Sequence, residues 1–552
     1  MFSKYDARLG TNYVPSDLEV SEINSNIDSY RPELQVIEFQ IQQLSQRRSV
    51  LHAYVDAHGA LVQWIRRIPR EILEEIFFKC LPEDRDPSLH PRDAPILLCQ
   101  VCSSWRAVAL STPRIWASLH ISFAFVAWRK DYTQVVADWL ARSRSLPLSL
   151  SIHIGLPFWD AKEKKNKYSP ELPAFFKCSY SRDYCTTLID ILFQHQARFR
   201  RLNLVGVTDE VLKRLWDLSP LLLEYLEIDD SLYLEDVALF KSPRLRCIVF
   251  PHGARTMDNG TIRWEQRALN WSQITHLVFA DFQENTLRMF DLFSIPEGAE
   301  ISFATALSLL ALCPRLEHLQ FAPAAAPAIT LGDYQLASTL PCLRTLIIGR
   351  IRSSPGSGFE DRDQYRLFWD TLPTMPLLQT LCADSEIADL PESFAKTPAL
   401  ERLTLPYPWH GGGLGFFHAL RKTKYLRLHC SSGSPGDMYE LGSILGVLKP
   451  GESEAQACPL LEELVITRVD VRLGREYILS DSLATFLRAH VEQKTPLRRF
   501  ELTLWGDSWQ VLPAELMEEI QSRIEVVLAF PEHRGKIQVN GQSEMMPWRK
   551  FE

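Results

Sequence analysis

Between Ile65 and Ile121 the apolar positions fall on helix faces. Ile72, Leu73, Ile76, Phe77 and Cys80 stand at i, i+1, i+4, i+5 and i+8, one wide stripe of an amphipathic helix. Pro69 precedes them, and Glu71, Glu74 and Glu75 follow it. Proline is tolerated at a first helical position and carboxylates suit the positive end of the dipole, so a helix starts there. Leu97, Leu98, Val101, Cys102 and Trp105 repeat the offsets behind Pro95 and predict a second helix; a third, through Val108 and Ala109, stops at Thr112-Pro113. Three such short helices cannot bury all of this apolar surface among themselves, so part of it is left for a partner.

After residue 198 the pattern changes from helical spacing to a repeat. Segments of the form apolar-x-x-Leu-x-apolar recur around Leu202, Leu226, Ile248, Leu277, Leu319, Leu346, Leu381, Leu403, Leu426, Leu464 and Phe500. Most follow a proline, as in SPRLRCIVF, CPRLEHLQF, LPCLRTLII, TPALERLTL and CPLLEELVI. The spacing is irregular, from 22 residues (226 to 248) to 42 (277 to 319), and its shorter steps resemble a leucine-rich repeat. Helix-like stretches such as Asp209 to Leu218 and Phe303 to Cys313 lie between, so the expected fold is α/β, parallel strands alternating with helices in an irregular solenoid. Leu148, Leu150, Ile152 and Ile154 predict one further strand upstream. Pro513 opens a helical pattern through Val527, and Lys536 to Val539 suits a last strand, together a cap on the open core.

Upstream of residue 61 the spacing is heptad-like: Ile23, Ile27, Tyr30, Leu34, Ile37, Ile41, Leu44, Arg48, Leu51 and Val55 alternate by fours and threes, with Pro32 interrupting the seam. The segment reads as a long helix, either folded back or paired in a dimer. The expected organisation is therefore a helical segment over 1–60, a helical module over 61–121, a connecting region with a first strand over 122–198, the solenoid over 199–512 and the cap over 513–552.

The helical module carries a family resemblance. The order Ile68-Pro69, Glu71-Ile72-Leu73, Ile76, then Leu98, Val101-Cys102, Trp105-Arg106, Ala109, and Pro113 with Trp116 resembles an F-box, the three-helix module that docks on the Skp adaptor of cullin-RING ubiquitin ligases. Isoleucine stands where leucine usually precedes the proline, and the loop from Pro82 to Pro95 is longer and more acidic than in compact F-boxes. That loop leaves the helix stripes intact and is set aside. A helical N-terminus leading into an IRRIP-type F-box is similar to the large F-box families of mushroom-forming fungi. The resemblance implies that Ile68, Pro69, Ile72, Leu73, Ile76, Leu98, Val101 and Trp105 serve the adaptor or the module's own core.

Composition narrows the function without redirecting it. A net charge of -8 argues against a nonspecific nucleic-acid binder, which needs a basic footprint, and the run Lys162 to Lys167 is short. The N-terminus lacks the apolar core of a signal peptide and no apolar run reaches the roughly 18 residues of a membrane span, so a cytoplasmic or nuclear protein is expected. Eleven scattered cysteines suit free thiols in a reducing compartment. Cys99-x-x-Cys102 has no second pair to complete a zinc site, and Gly411-Gly412-Gly413-Leu414-Gly415 lacks the Lys-Ser/Thr end of a phosphate loop. No GxSxG or HExxH motif appears, so neither catalytic residues, a metal nor a cofactor is expected. His276 and His318 share one repeat position and are expected to line a common face.

The solenoid offers a surface instead. Leucines at even spacing point inward, so the residues between them line the opposite, concave face. Early in the array these are Arg201, Asn203, Tyr225, Glu227 and Asp229; in the middle they are small or apolar. Late in the array they include Arg402, Thr404, Tyr425, Arg427, His429, Glu463, Arg499 and Glu501, close to the loop residues Tyr407, Trp409 and His410. Aromatics and arginine most often anchor interfaces, so Arg402, Tyr407, Trp409, Tyr425, Arg427, His429 and Arg499 form the expected target-binding cluster. With the resemblance, this implies a non-catalytic substrate receptor of an SCF-type ubiquitin ligase, joined through a Skp-type adaptor to cullin, or else a scaffold using the same module outside a ligase.

Overall fold

The structure, a computed structural model, describes residues 3–62, 64–83, 85–122, 131–153, 179–205, 212–229, 238–250, 269–279, 301–323, 339–349, 368–383, 396–407, 414–430, 437–451, 456–470, 476–505, 514–531, 536–539 and 542–545. Two compact units divide the chain, Met1–Ile76 and Phe77–Glu552. The first is dominated by α1 (Asp17–Val62, 46 residues). It opens with one half of a capping box: Glu19 accepts from the Ser16 backbone N–H and hydroxyl, both at 2.9 Å. Pro32 does not interrupt it; the helix runs through, giving up only the hydrogen bond that the proline nitrogen cannot donate. None of its residues is buried, and the seam positions Ile27, Leu34, Ile41, Leu44 and Val55 are all exposed.

The predicted helix over the 70s is α2 (Arg70–Lys79), which runs from the first unit into the second. The second predicted helix is not continuous. It is cut into α3 (Leu98–Val101) and α4 (Ser103–Ser111), because Cys102 turns to extended backbone (φ -160°, ψ 171°) and its Sγ accepts the Trp105 N–H at 3.4 Å. Trp105 therefore belongs to the helix of Val108 and Ala109. Within the second unit the fully buried Phe77 ring lies 5.0 Å from Trp105, and the Arg114 guanidinium covers Phe78 at 3.7 Å. Trp116 donates its ring N–H to Ala109 O at 2.7 Å and meets Trp139 edge-on at 4.7 Å. Trp139, on α5 (Tyr132–Arg142), donates in turn to Ser118 O at 3.1 Å, so the helices are pinned to the first strand.

From there the chain is an α/β ladder. In chain order its strands are β1 (Ser118–Ser122), β2 (Leu148–His153), β3 (Phe199–Val205), β4 (Tyr225–Asp229), β5 (Cys247–Phe250), β6 (His276–Phe279), β7 (His318–Phe321) and β8 (Thr345–Ile348). They continue as β9 (Thr380–Ala383), β10 (Arg402–Tyr407), β11 (Tyr425–Cys430), β12 (Glu463–Asp470), β13 (Arg499–Trp505), β14 (Glu525–Pro531), β15 (Lys536–Val539) and β16 (Gln542–Met545). Each pairs with the next, so sheet order equals chain order. Pairing is parallel through β14 and antiparallel in the last two steps. Helices such as Phe303–Leu312, Asp437–Leu448 and Glu476–Glu492 form the other layer, as expected of a solenoid.

All eleven repeat centres, Leu202 through Phe500, stand in one register row and are buried. Hydroxyls in the coils ahead of the strands bond backward to the preceding coil: Ser242 Oγ donates to Pro220 O at 2.7 Å and Thr423 Oγ1 to Leu400 O at 3.2 Å. Just ahead of the strands a second row forms. The backbone N–H of each member donates to the carbonyl of the member one coil earlier, in the order Arg200, Glu224, Arg246, Thr275, Glu317, Arg344, Gln379, Glu401, Lys424, Glu462, Arg498, Glu525. No two neighbours share a charge, and Arg200–Glu224, Arg344–Glu317 and Lys424–Glu401 form ion pairs at 2.8, 3.9 and 3.4 Å.

The ladder is longer than expected at both ends. It begins at β1, inside the segment assigned to the helical module. At the far end the predicted helix from Pro513 to Val527 stops at Gln521, and Val527 lies in β14, so among the described residues β15 and β16 follow the parallel array. In the predicted helix from Asp209 to Leu218, the described part is a 3-10 turn, Leu212–Asp217. Ile154, Lys162 to Lys167, Ser353 to Gly358 and the glycines 411–413 lie outside the described residues.

Candidate functional site

Two surfaces draw attention, and burial sorts their residues. In the helical segment Leu73 and Leu98 are each only 5% exposed, which removes them from the expected docking set and assigns them to the core. Trp105 is half-buried against Phe77. Ile72, Ile76 and Pro69 remain exposed, as do Leu97, Val101 (56%) and Leu110; Ile68 is partly covered. The i, i+4 pair of Ile72 and Ile76 occupies one face of α2 because Leu73 and Phe77 take the other.

The described side chains of the expected target cluster divide between buried and exposed. Tyr425 is buried and Arg427 is 3% exposed, so neither offers surface to a target. Arg402 is exposed, with its guanidinium 4.4 Å from the Tyr425 ring, and half-buried Arg499 is paired with Glu501 at 2.9 Å. Tyr407 and His429 end up at strand positions whose side chains lie outside the described set, as do Trp409 and His410 altogether. Alternation correctly separates the two sheet faces, but it does not say which part of a face is open. His276 and His318 do lie side by side, stacked at 5.7 Å.

The open part lies at the other end. A cavity of about 1050 Å³ sits over β1 to β4, on the face opposite the leucines. Its floor is set by register. One row reads Ser118, Ser149, Arg201, Tyr225; the next His120, Ser151, Asn203, Glu227; and Ser122 pairs with His153 beyond them. One wall is the 82–95 loop that sequence reasoning set aside. His120 N–H donates to Pro87 O at 2.8 Å, Ser149 Oγ donates to Asp86 at 3.0 Å, and Arg85 grips Asp93 with two hydrogen bonds of 2.9 and 3.1 Å. The loop is thus held against the first two strands.

Burial governs the electrostatics of this floor. It lowers the His120 pKa to about 4, helped by the neighbouring His153 ring 4.5 Å away, so His120 is neutral at pH 7. Its Nδ1 lies 3.0 Å from Ser151 Oγ. Burial likewise raises the Asp86 carboxyl above its ordinary range, opposed by the Ser149 and Ser151 hydroxyls. It also raises the Tyr225 phenol, which donates to Glu227 at 2.7 Å and lies 4.5 Å beneath the Arg201 guanidinium. The floor sets serine, histidine and asparagine donors and acceptors beside the Arg201 guanidinium and the Glu227 carboxylate, and Lys79, Arg85 and Asp86 also line the cavity. Among the described residues no group of three or more His, Cys, Asp or Glu forms a metal site, the cysteines are free, and no helix is long and apolar enough to cross a membrane.

Of these residues, Arg201, Asn203, Tyr225 and Glu227 were legible as lining. Ser118, His120 and Ser122, and Ser149, Ser151 and His153, were missed, although SLHIS and LSLSIH alternate as cleanly as any later strand. No protein-family model matches the chain, and no curated protein matches it.

Proposed function

We propose that the protein is the substrate-recognition subunit of an SCF-type ubiquitin ligase: the helical segment is an F-box that docks on a Skp-type adaptor, and the ladder is a leucine-rich-repeat solenoid that holds a target protein. The observation that carries this reading is the division of apolar residues in the helical segment. Leu73, Phe77, Leu98 and Ala109 are buried, while Ile72, Ile76, Leu97, Val101 and Leu110 stay exposed. Ile72 and Ile76 lie in the first unit and Leu97, Val101 and Leu110 in the second, and in each by itself large exposed apolar side chains on a short helical stretch suit a partner surface better than water. The receptor then acts by proximity: it raises the effective concentration of target lysines near ubiquitin carried by a separate enzyme and supplies no reacting group.

The test is co-expression of the full chain with its host's Skp adaptor, parent against an Ile72→Asp, Ile76→Asp, Val101→Asp variant. All three positions are exposed, so the variant keeps its circular dichroism spectrum and unfolding midpoint. A complex that forms with the parent and is lost in the folded variant is expected. A parent chain that never captures the adaptor overturns the reading; capture of adaptor without cullin replaces it with a scaffold acting outside a ligase.

A further inference from the structure

The cavity over β1 to β4 holds two polar atoms with no hydrogen-bond partner. Ser122 Oγ belongs to a side chain only 2% exposed, and Asn203 Oδ1 is likewise buried. Both residues line the cavity. Leaving a buried hydroxyl or amide oxygen without a partner is costly, so a fold that keeps two at one opening is incomplete until something fills it. Ser122 and Asn203 are two strands apart and their register rows differ by two residues. With strands about 4.8 Å apart and a rise of about 3.3 Å per residue, their backbones are about 12 Å apart. One ligand that serves both must be at least of that order in length.

We infer that this cavity takes an extended peptide segment of the target protein, with a backbone N–H donating to Asn203 Oδ1, a carbonyl three or four residues away accepting from Ser122 Oγ, and an acidic side chain meeting Arg201. A peptide backbone supplies alternating donors and acceptors at the right spacing, and about 1050 Å³ exceeds what drug-sized ligands ordinarily fill. Arg201 supplies the charge preference. Among the described residues no carboxylate lies within ion-pair distance of it; its guanidinium rests on the Tyr225 ring and acts on the Asp86 carboxyl only through its field, whereas Arg85 is ion-paired with Asp93. The neutral His120 leaves Arg201 as the cation on the floor of the cavity. The inference rests on the receptor reading, since it gives the target's binding segment a place and a chemistry.

The experiment uses the full chain purified with its adaptor and a display library of random twelve-residue linear peptides. Enriched peptides are titrated by fluorescence polarisation against the parent, Asn203→Leu, Arg201→Glu and a charge-matched control, Arg315→Glu, exposed and outside the cavity lining. Enriched sequences are expected to carry Asp or Glu, to lose at least fivefold in affinity with Asn203→Leu and tenfold with Arg201→Glu, and to bind the control unchanged. If Asn203→Leu fails to fold, Asn203→Ser replaces it. No enrichment, or affinity indifferent to both cavity variants, overturns the inference. So does native mass spectrometry that finds a co-purified small molecule absent from Asn203→Leu. Adaptor and cullin capture are scored in the same preparations: peptides that bind without adaptor capture sink the ligase reading and leave the cavity standing, while capture without cavity-dependent peptides sinks this inference alone.

Discussion

One register row crosses the whole ladder, and its two ends are built differently. Over β1 to β4 it reads His120, Ser151, Asn203, Glu227, polar throughout, beneath a cavity. From β5 to β12 it reads Val249, Val278, Gln320, Ile347, Cys382, Thr404, Arg427, Val465, mostly apolar; Val249, Gln320, Cys382, Thr404, Arg427 and Val465 are buried. Backbone geometry is shared, so the difference is chemical. The later stretch is covered and takes Gln320, Thr404 and Arg427 as buried polar members among apolar ones, whereas the early stretch is polar throughout and lies beneath an open cavity. Departures from the local rule tend to mark where stability is exchanged for binding.

The contrast can be broken or sharpened by substitution. The largest effect is expected at the anchor of the open end: Trp116→Ala removes a buried ring and its bond to Ala109 O, and should cost about 3–5 kcal/mol in urea unfolding. Next, Val465→Asn imports the polarity of the early stretch into the covered one. The lost apolar burial and the unmade amide bonds together should cost about 3 kcal/mol by the same measurement.

Acid should act on both stretches. His120, His318 and His490 have folded pKa values lowered by burial to about 4, from an unperturbed 6.5. Between those values the unfolded chain binds protons that the folded one does not, so stability contributed by these groups is present above pH 6.5, falls as pH drops towards 4 and levels off below it. Urea midpoints measured across that range should show the fall, and His120→Gln should remove the part that belongs to the open end.

Smaller still, Asn203→Val carries the chemistry of the covered stretch into the cavity. Replacing an unpartnered amide oxygen should change stability by less than about 1 kcal/mol, in the stabilising direction, while weakening peptide binding as Asn203→Leu does. A loss of several kcal/mol there would mean that Asn203 serves the fold. The smallest effect is expected at Arg200→Ala: the Arg200–Glu224 pair is solvent-exposed, and its removal should shift the unfolding free energy by less than roughly 1 kcal/mol, and less at high salt.

The leucine rows were legible because apolar-x-x-Leu-x-apolar behind a proline has one physical solution, a short strand with its even positions inward. The break at Cys102 was not, because the offsets of Leu97, Val101 and Trp105 fit one helix as well as two, and a single cysteine cap decides between them. The covering of Tyr425 and Arg427 was illegible for a different reason. Alternation assigns a residue to a face, but only tertiary packing says whether that face is open. The 82–95 loop was set aside because an excursion that spares helix periodicity carries no pattern of its own; its role depends on Pro87 meeting His120 and Asp86 meeting Ser149, contacts between residues 33 (87 to 120) and 63 positions apart.

The row of residues ahead of the strands has a consequence for how such an array can change in length. From Arg200 to Arg246 and from Glu401 to Glu525 the charges alternate strictly, so the row has a parity. Deleting the single coil of Glu224 would set Arg200 beside Arg246, and deleting that of Glu462 would set Lys424 beside Arg498. Like charges on neighbouring strands repel by a few tenths of a kcal/mol to about 1 kcal/mol. Coils in those stretches are therefore cheapest to gain or lose in pairs. The neutral Thr275 and Gln379 relax that condition, and beside them single coils can be inserted or removed without a clash of charge, in the same middle stretch where the spacing between repeats is least regular.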